Sequence, residues 1–337
     1  SPHAHRRPRP RLCRREEAAE VLTTLFCSDT ALAQWGGVWR EVVPDLRTVM
    51  LPREGRVPDP DIAAIDVAVF SADLWTEGRG SSFMKVALQA PSLKWLHMFS
   101  AGLDDPVFDQ FRERGVKVTH SAGSSATPIA HTVMMQLVAM CRNGRQLAVA
   151  QSNRDWLDVD VIDVEGRTLG IIGFGAIGSE VARLATAFGM HPIGMRRSPR
   201  GDEGCPVWTT DRLHELLRIV DDIVLCAPLN ESTNGMIGLA ELALLRPGAH
   251  LVNVGRGQLI DEPALVDALT TGNLAAAALD VFAVEPLPAN SLLWTLPNVI
   301  VTPHTAGATP LAAERAAQVF QRNLTRWAQG EQLLNLG

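Results

Sequence analysis

No stretch of this chain approaches the roughly 20 consecutive apolar residues that a membrane-spanning helix needs, which excludes a helical span and a stop-transfer segment. Its five cysteines, Cys13, Cys27, Cys141, Cys205 and Cys226, lack both the close pairing of a zinc site and the spacing of a disulfide-stapled secreted domain. That pattern excludes a metal framework and favours a reducing, cytoplasmic setting. No self-similar period is visible, so solenoid architectures are excluded as well. Basic residues are mostly dispersed over a chain of net charge −6, so a general nucleic-acid surface is not expected. Tyrosine is absent altogether, and that absence carries no functional reading. Acidic side chains are missing from residues 1–15, SPHAHRRPRPRLCRR, where Arg and Pro dominate. Such a composition builds no packed core, so residues 1–18 are expected to form a disordered arm. Its proline punctuation and lack of an apolar face weigh against a transit peptide.

What is present is enough apolar material for two cores, 46% of 337 residues. Apolar runs alternate with helical patterns: VLTTLFCS, LRTVML, IDVAVFSA, LKWLHMFSA and VKVTHSA, then RTLGIIGFG, HPIGM, DDIVLCAPL, AHLVNVG, AAAALDVF and NVIVTPH. That alternation predicts an α/β protein of two units with parallel sheets and crossover helices. The second unit begins after a long helical stretch from about Pro128 to Ala150. A final long helix should start with Thr309 as N-cap and Pro310 in its first turn, and stop at Gly330.

GFGAIG sits between a buried-type strand and an amphipathic helix, the context in which a glycine turn cradles a dinucleotide pyrophosphate. Gly173 permits the tight turn, Gly175 lets the backbone approach the pyrophosphate, and Gly178 lets helix pack on strand. Ala176 and Ile177 open the helix whose unpaired N–H groups meet the anion. An NAD(H) enzyme needs a carboxylate for the ribose hydroxyls where the second strand ends, but Arg196, Arg197 and Ser198 stand there. Guanidinium groups beside a hydroxyl suit a 2′-phosphate. NADP(H) is therefore the expected cofactor, with NAD(H) still possible.

Three later segments, VNVGRGQLID, DVFAVEPLP and TPHTAG, place Arg256, Glu285 and His304 on loops that each follow a predicted strand. Reducing a 2-keto acid requires a proton for the oxygen that gains charge and a clamp for the carboxylate. His304 can supply the proton, Glu285 can hold the imidazole and stabilise its charged form, and Arg256 can bind the substrate with its planar fork. Each residue alone also fits a structural ion pair.

Together with CAPLNESTNGMIG, LLRPGAHLVNVGRGQLIDEPALVDAL and LPNVIVTPHTAG, these motifs resemble the D-isomer-specific 2-hydroxyacid dehydrogenase family over residues 65–310. The resemblance implies two flavodoxin-like or Rossmann-like domains with the active site in the cleft between them. Residues 19–121 with 308–337 would form the substrate domain, and 122–307 the dinucleotide domain. It also implies the catalytic roles above, Asp280 near the nicotinamide carboxamide, and Pro228 and Thr233 along the cofactor groove. Backbone N–H groups around Ser100, Ala101 and Gly102 would meet the substrate carboxylate, and closure would exclude water. Family members usually form dimers through the cofactor domain. Glyoxylate and hydroxypyruvate are the substrates expected first, and another substrate branch of the family is the alternative.

Some positions depart from the family pattern. The acidic ribose residue is missing, which argues against the phosphoglycerate branch. His131 stands where Glu is common, and a structural partner is expected for it. Leu293 precedes Trp294 where Pro is common, so Trp294 reads as an interface or core residue as readily as one that closes a substrate pocket. A glutamine-based pairing to the histidine would mark formate dehydrogenase, and Glu285 argues against it. A dinucleotide-sensing binding protein like the C-terminal binding protein corepressors shares the triad but would need a peptide groove that nothing in 19–121 marks.

Overall fold

A computed structural model describes residues 23–337. The expected arm at 1–18 and Cys13 lie outside the described residues. Five strands build the first sheet: β1 (Thr24–Ser28), β2 (Arg47–Leu51), β3 (Val67–Phe70), β4 (Trp95–Met98) and β5 (Lys117–His120). All pair in parallel, in the order β2-β1-β3-β4-β5. Both faces of this sheet are covered, which is why its inner strands are runs of apolar residues with no polar alternation. In β1, Leu25 and Cys27 face a core shared with Trp39 and Phe320, while Phe26 faces the opposite core and stacks on Phe83 at 4.5 Å.

Phe320 belongs to the helix Pro310–Ala328, which returns from the far end of the chain to the first sheet. Thr309 caps it through its side chain, accepting from Ala312 N at 3.2 Å. Phe320 packs edge-on against Trp39 at 5.1 Å and stacks on Trp95 at 5.2 Å. Beyond the helix, Leu336 bridges Thr119 of β5 in antiparallel sense.

Seven strands build the second sheet: β6 (Thr168–Ile172), β7 (His191–Met195), β8 (Val207–Trp208), β9 (Asp222–Leu225), β10 (His250–Asn253), β11 (Ala276–Leu279) and β12 (Val299–Val301). They too are parallel, in the order β12-β11-β10-β9-β6-β7-β8. Eleven of the twelve strands coincide with the apolar runs of the sequence. β8 was not anticipated because two residues carry no periodicity. The expected helix from Pro128 to Ala150 is two helices, Ala126–Cys141 and Gly144–Asn153. Asn143 breaks it by taking a left-handed conformation at φ 50°, which Asn tolerates and a helix interior does not.

The chain order reverses between β1 and β3 in the first sheet and between β6 and β9 in the second. Ligands of open parallel sheets bind outside the carboxyl ends of strands at such switch points. The opposite end of the second sheet is closed by a buried ion network. Arg167 reaches both oxygens of Asp222, at 2.7 and 2.8 Å, and His250 Nδ1 lies 3.0 Å from the same carboxylate. Burial pushes the Asp222 carboxyl up, but the hydrogen bonds from Arg167 and His250 prevail and hold it below its ordinary value. A carboxyl lowered in the folded state stabilises above its unfolded pKa and loses that contribution as pH falls. Asp222→Ala, which leaves Arg167 without its carboxylate, should cost about 3 kcal/mol in chemical denaturation at pH 7. The difference from wild type should shrink below about pH 4, and a pH-independent difference would exclude this linkage.

Candidate active site

Each glycine after β6 is required by a different neighbour. At Gly173, φ is +102° and an added Cβ would lie 2.3 Å from Ala227 N, so the turn is pressed against the loop that follows β9. At Gly178 a Cβ would lie 2.7 Å from Gly173 O, and this closeness sets the helix Ala176–Ala187 onto β6. At Gly175 no heavy atom stands within 4 Å of the Cβ position. The space above Gly175 is therefore open, and the N–H groups of Ala176, Ile177 and Gly178 have no acceptor among the described residues. That is a fitting cradle for a pyrophosphate. Cys226, for which the sequence suggests no role of its own, donates its thiol to Gly173 O at 3.0 Å. Burial pushes that thiol up to about 12, so it serves as a neutral donor bracing the turn.

Arg196 follows β7, tied to β8 by its backbone N–H on Trp208 O at 3.0 Å. The guanidinium groups of Arg196 and Arg197 make no hydrogen bond among the described residues, and Arg197 and Ser198 are exposed. After β9, Thr233 Oγ1 donates to Pro228 O at 2.7 Å and accepts from Asn230 N at 2.9 Å, folding the loop that borders the glycine turn.

The loops after β10, β11 and β12 carry Arg256, Glu285 and His304 and are knitted together. Asn253 shapes the first, with its amide nitrogen on Arg256 O at 2.9 Å and its amide oxygen on Gly255 N at 3.1 Å. Gly257 then packs against the second so closely that a Cβ would meet Phe282 C at 1.8 Å. Asp280 is 2% exposed and anchors the third. Its Oδ1 accepts from Thr302 Oγ1 at 2.6 Å and Thr305 N at 3.0 Å, its Oδ2 from Ala306 N at 3.0 Å, and its backbone oxygen from His304 N at 2.8 Å. His304 itself has φ 53°. Its Nδ1 lies 2.8 Å from Glu285 Oε2, and Glu285 Oε1 accepts from Phe282 N at 3.0 Å. A carboxylate only accepts, so Nδ1 carries the proton toward Glu285 and Nε2 is left for the cleft.

Facing these loops is Ser100–Gly102, after β4. The N–H groups of Ala101, Gly102 and Leu103 have no acceptor among the described residues. Arg256 reaches this loop directly, with Nε on Asp104 Oδ2 at 2.7 Å. A Cβ on Gly102 would lie 1.8 Å from Arg256 Nη2, so a side chain there would push the guanidinium out of this position. Below the loop, His97 is wholly buried between Thr119 Oγ1 at 2.7 Å and Ser121 Oγ at 3.0 Å, and Ser121 N donates to Ser100 O at 3.0 Å. Burial pushes His97 down to about 3, so it is a neutral support.

A glycine cradle, a histidine–carboxylate pair and an arginine thus meet where the two sheets face each other. The family model for the NAD binding domain of D-isomer specific 2-hydroxyacid dehydrogenases matches residues 134–306. A glyoxylate reductase from Thermococcus gammatolerans is 36% identical over 253 residues, 72% of this chain and 75% of that protein. The chain belongs to the D-isomer-specific 2-hydroxyacid dehydrogenase family. It is accordingly an NAD(P)-dependent oxidoreductase. A D-3-phosphoglycerate dehydrogenase from Methanocaldococcus jannaschii is 35% identical over 72% of this chain, and the match spans about half, 47%, of that protein. Among solved structures, the family member from Xanthobacter autotrophicus Py2 in complex with NADPH and MES superposes with a TM-score of 0.77 at 28% identity, covering 94% of this chain and 97% of the other.

Two departures of this family member resolve in the structure. The interaction that His131 makes among the described residues is through space. It is exposed, makes no hydrogen bond among the described residues, and lies within electrostatic reach of Glu180. Leu293 is fully buried in the core, while Trp294 donates its indole N–H to Pro288 O at 3.0 Å and receives Arg145 on its carbonyl at 3.1 Å. Asp104, Asn253 and Cys226 were missed, because each acts through a neighbour that local pattern does not reveal. The contrast between the glycines is testable by cofactor titration and thermal melting. Gly175→Ala should leave the melting temperature of the free protein near wild type and weaken NADPH binding by about tenfold or more. Gly173→Ala should lower the melting temperature itself, and similar melting of the two variants would refute the distinction.

Proposed function

We propose that the protein reduces small 2-keto acids, glyoxylate and hydroxypyruvate first among them, with NADPH preferred over NADH. The observation that carries this reading is the 2.8 Å pair of His304 and Glu285 on one side of the cleft, with Arg256 opposite the unpaired N–H groups of the substrate loop. When bound, the nicotinamide cofactor supplies the hydride. Ala176, Ile177 and Gly178 would hold its pyrophosphate, Arg196, Arg197 and Ser198 its 2′-phosphate, and the Pro228–Thr233 loop would border its groove. Asp280 retains acceptor capacity on Oδ2 for the carboxamide while it fixes the His304 loop. Arg256 and the N–H groups near Ser100, Ala101 and Gly102 bind the substrate carboxylate and orient the keto carbon. His304 donates the Nε2 proton to the oxygen as charge develops there, and Glu285 keeps the ring oriented through Nδ1. The glyoxylate reductase and the NADPH-bound relative support the substrate and cofactor choices.

The same reading takes 23–121 with 308–337 as the described part of the substrate domain, 122–307 as the cofactor domain, and a homodimer as the working form. A largely apolar groove of about 460 Å³, lined by Met134, Met135, Val138, Leu184 and Phe188 together with His131, supports the dimer, as does Trp156 at 98% exposure on the arm that follows. Free thiols at all four described cysteines suit the cytoplasm. Sedimentation should give a species of twice 36.5 kDa, and a monomer would remove the dimer from this reading.

Initial rates with glyoxylate, hydroxypyruvate, pyruvate and a bulkier 2-keto acid, each with NADPH and NADH, test the activity. His304→Gln should lower turnover by about 10²- to 10⁴-fold and leave NADPH binding intact. Unchanged turnover would remove the proton-donor role. Arg196→Ala should weaken NADPH about 10- to 100-fold more than NADH, and equal losses would defeat the phosphate assignment.

A further inference from the structure

The substrate-facing arginine is already held. Arg256 Nε donates to Asp104 Oδ2 at 2.7 Å and Nη1 donates to Gly255 O at 2.7 Å, while Nη2 makes no hydrogen bond among the described residues. Asp104 lies after β4 and Arg256 after β10, so this ion pair crosses from one sheet's loops to the other's. Both side chains are about a third exposed, 31% and 30%. A pair so open to water adds little to stability, so stability does not account for it. Direction does. A guanidinium is planar and presents its donors in a rigid fork. Bonds at Nε and Nη1 fix that plane and leave Nη2 as the donor beside Gly102, where the N–H groups of Ala101, Gly102 and Leu103 are also without acceptors.

We propose that Asp104 is a positioning residue for the reduction, holding Arg256 by Nε so that Nη2 and the backbone N–H groups of the substrate loop converge on one carboxylate. This rests on the 2-keto acid reading above. Asp104 engages Nε and leaves Nη2 to the substrate, and its Oδ2, 3.0 Å from the Cβ position of Gly102, borders the place it prepares. Its loop and the arginine are also brought together by it, which commits the guanidinium to the cleft before substrate arrives. A side chain that leaves Nε unpaired lets the fork rotate, and the loss should appear in substrate binding before it appears in cofactor binding.

The experiment compares Asp104→Ala, Asp104→Asn and Arg256→Lys, singly and combined, in steady-state kinetics with glyoxylate and NADPH. Binding of oxamate, an unreactive carboxylate–amide isostere, to the NADPH-loaded protein is measured by calorimetry alongside. Asp104→Ala should raise KM and weaken oxamate by about 10- to 100-fold, with NADPH affinity unchanged. Asp104→Asn, whose amide oxygen still accepts from Nε, should recover most of the loss. In the Arg256→Lys background, Asp104→Ala should cost almost nothing further, since it acts through the guanidinium. An unchanged or lowered KM in Asp104→Ala, or a full additive loss in the Arg256→Lys background, overturns the proposal and leaves the 2-keto acid reading standing. Wild-type protein that neither binds oxamate nor turns over any 2-keto acid overturns both.

Discussion

One buried carboxylate, Asp280, fixes the loop on which His304 sits. A carboxylate withdrawn from water is costly unless its lone pairs are met, and here donors from Thr302 and Thr305 fill Oδ1 and one from Ala306 half fills Oδ2. The same residue's backbone oxygen receives His304 N, which offsets the left-handed backbone that turns the imidazole toward Glu285. From there the dependence spreads. Glu285 is held by Phe282 N, the backbone at Phe282 presses on Gly257, and Gly257 follows Arg256. His304, Glu285 and Arg256 are therefore one packed unit built on three adjacent strands, a rigidity that suits a site in which reacting groups must be held in register.

The two ends of the second sheet are specialised in opposite ways. The carboxyl ends leave backbone donors unpaired, whereas at the amino ends Arg167, Asp222 and His250 pair with one another. Cys141 approaches His250 at 3.9 Å and completes a cysteine–histidine–aspartate set in appearance only. Both Cys141 and Asp222 face the same ring nitrogen, Nδ1, while proton relay needs one partner on each nitrogen. Burial also pushes the Cys141 thiol up to about 11. The set is a structural clasp at the end of the sheet farthest from the cleft.

Most of the architecture was legible because buried parallel strands are written as short apolar runs and their connections as amphipathic segments. The helix Pro310–Ala328 was legible in its cap residues, Thr309 and Pro310, although pattern alone gave no partner for its apolar face. What stayed hidden was non-local or too short. Two residues of β8 hold no period, and the break at Asn143 depends on a conformation that its neighbours do not announce. Asp104 and Arg256 are 152 positions apart, so their pairing exists only once the sheets are assembled. Gly175 shows the reverse case. Its reason was legible from the dinucleotide motif, yet no atom of the protein itself demands glycine there.

The return of the last helix to the first sheet has a consequence during synthesis. Trp39, on the helix Asp29–Val42, and Trp95 are buried under Phe320, so that face of the first sheet is only partly covered, by its own early helix, until the helix Pro310–Ala328 has been made. At about 5–20 residues per second, the roughly 190 residues between β5 and this helix take on the order of 10–40 s to make. The second sheet gains its strands within that interval and has its last one, β12, just before the helix is made, while the first waits with its tryptophans incompletely covered. The half of the molecule that is begun first is thus the half that is finished last.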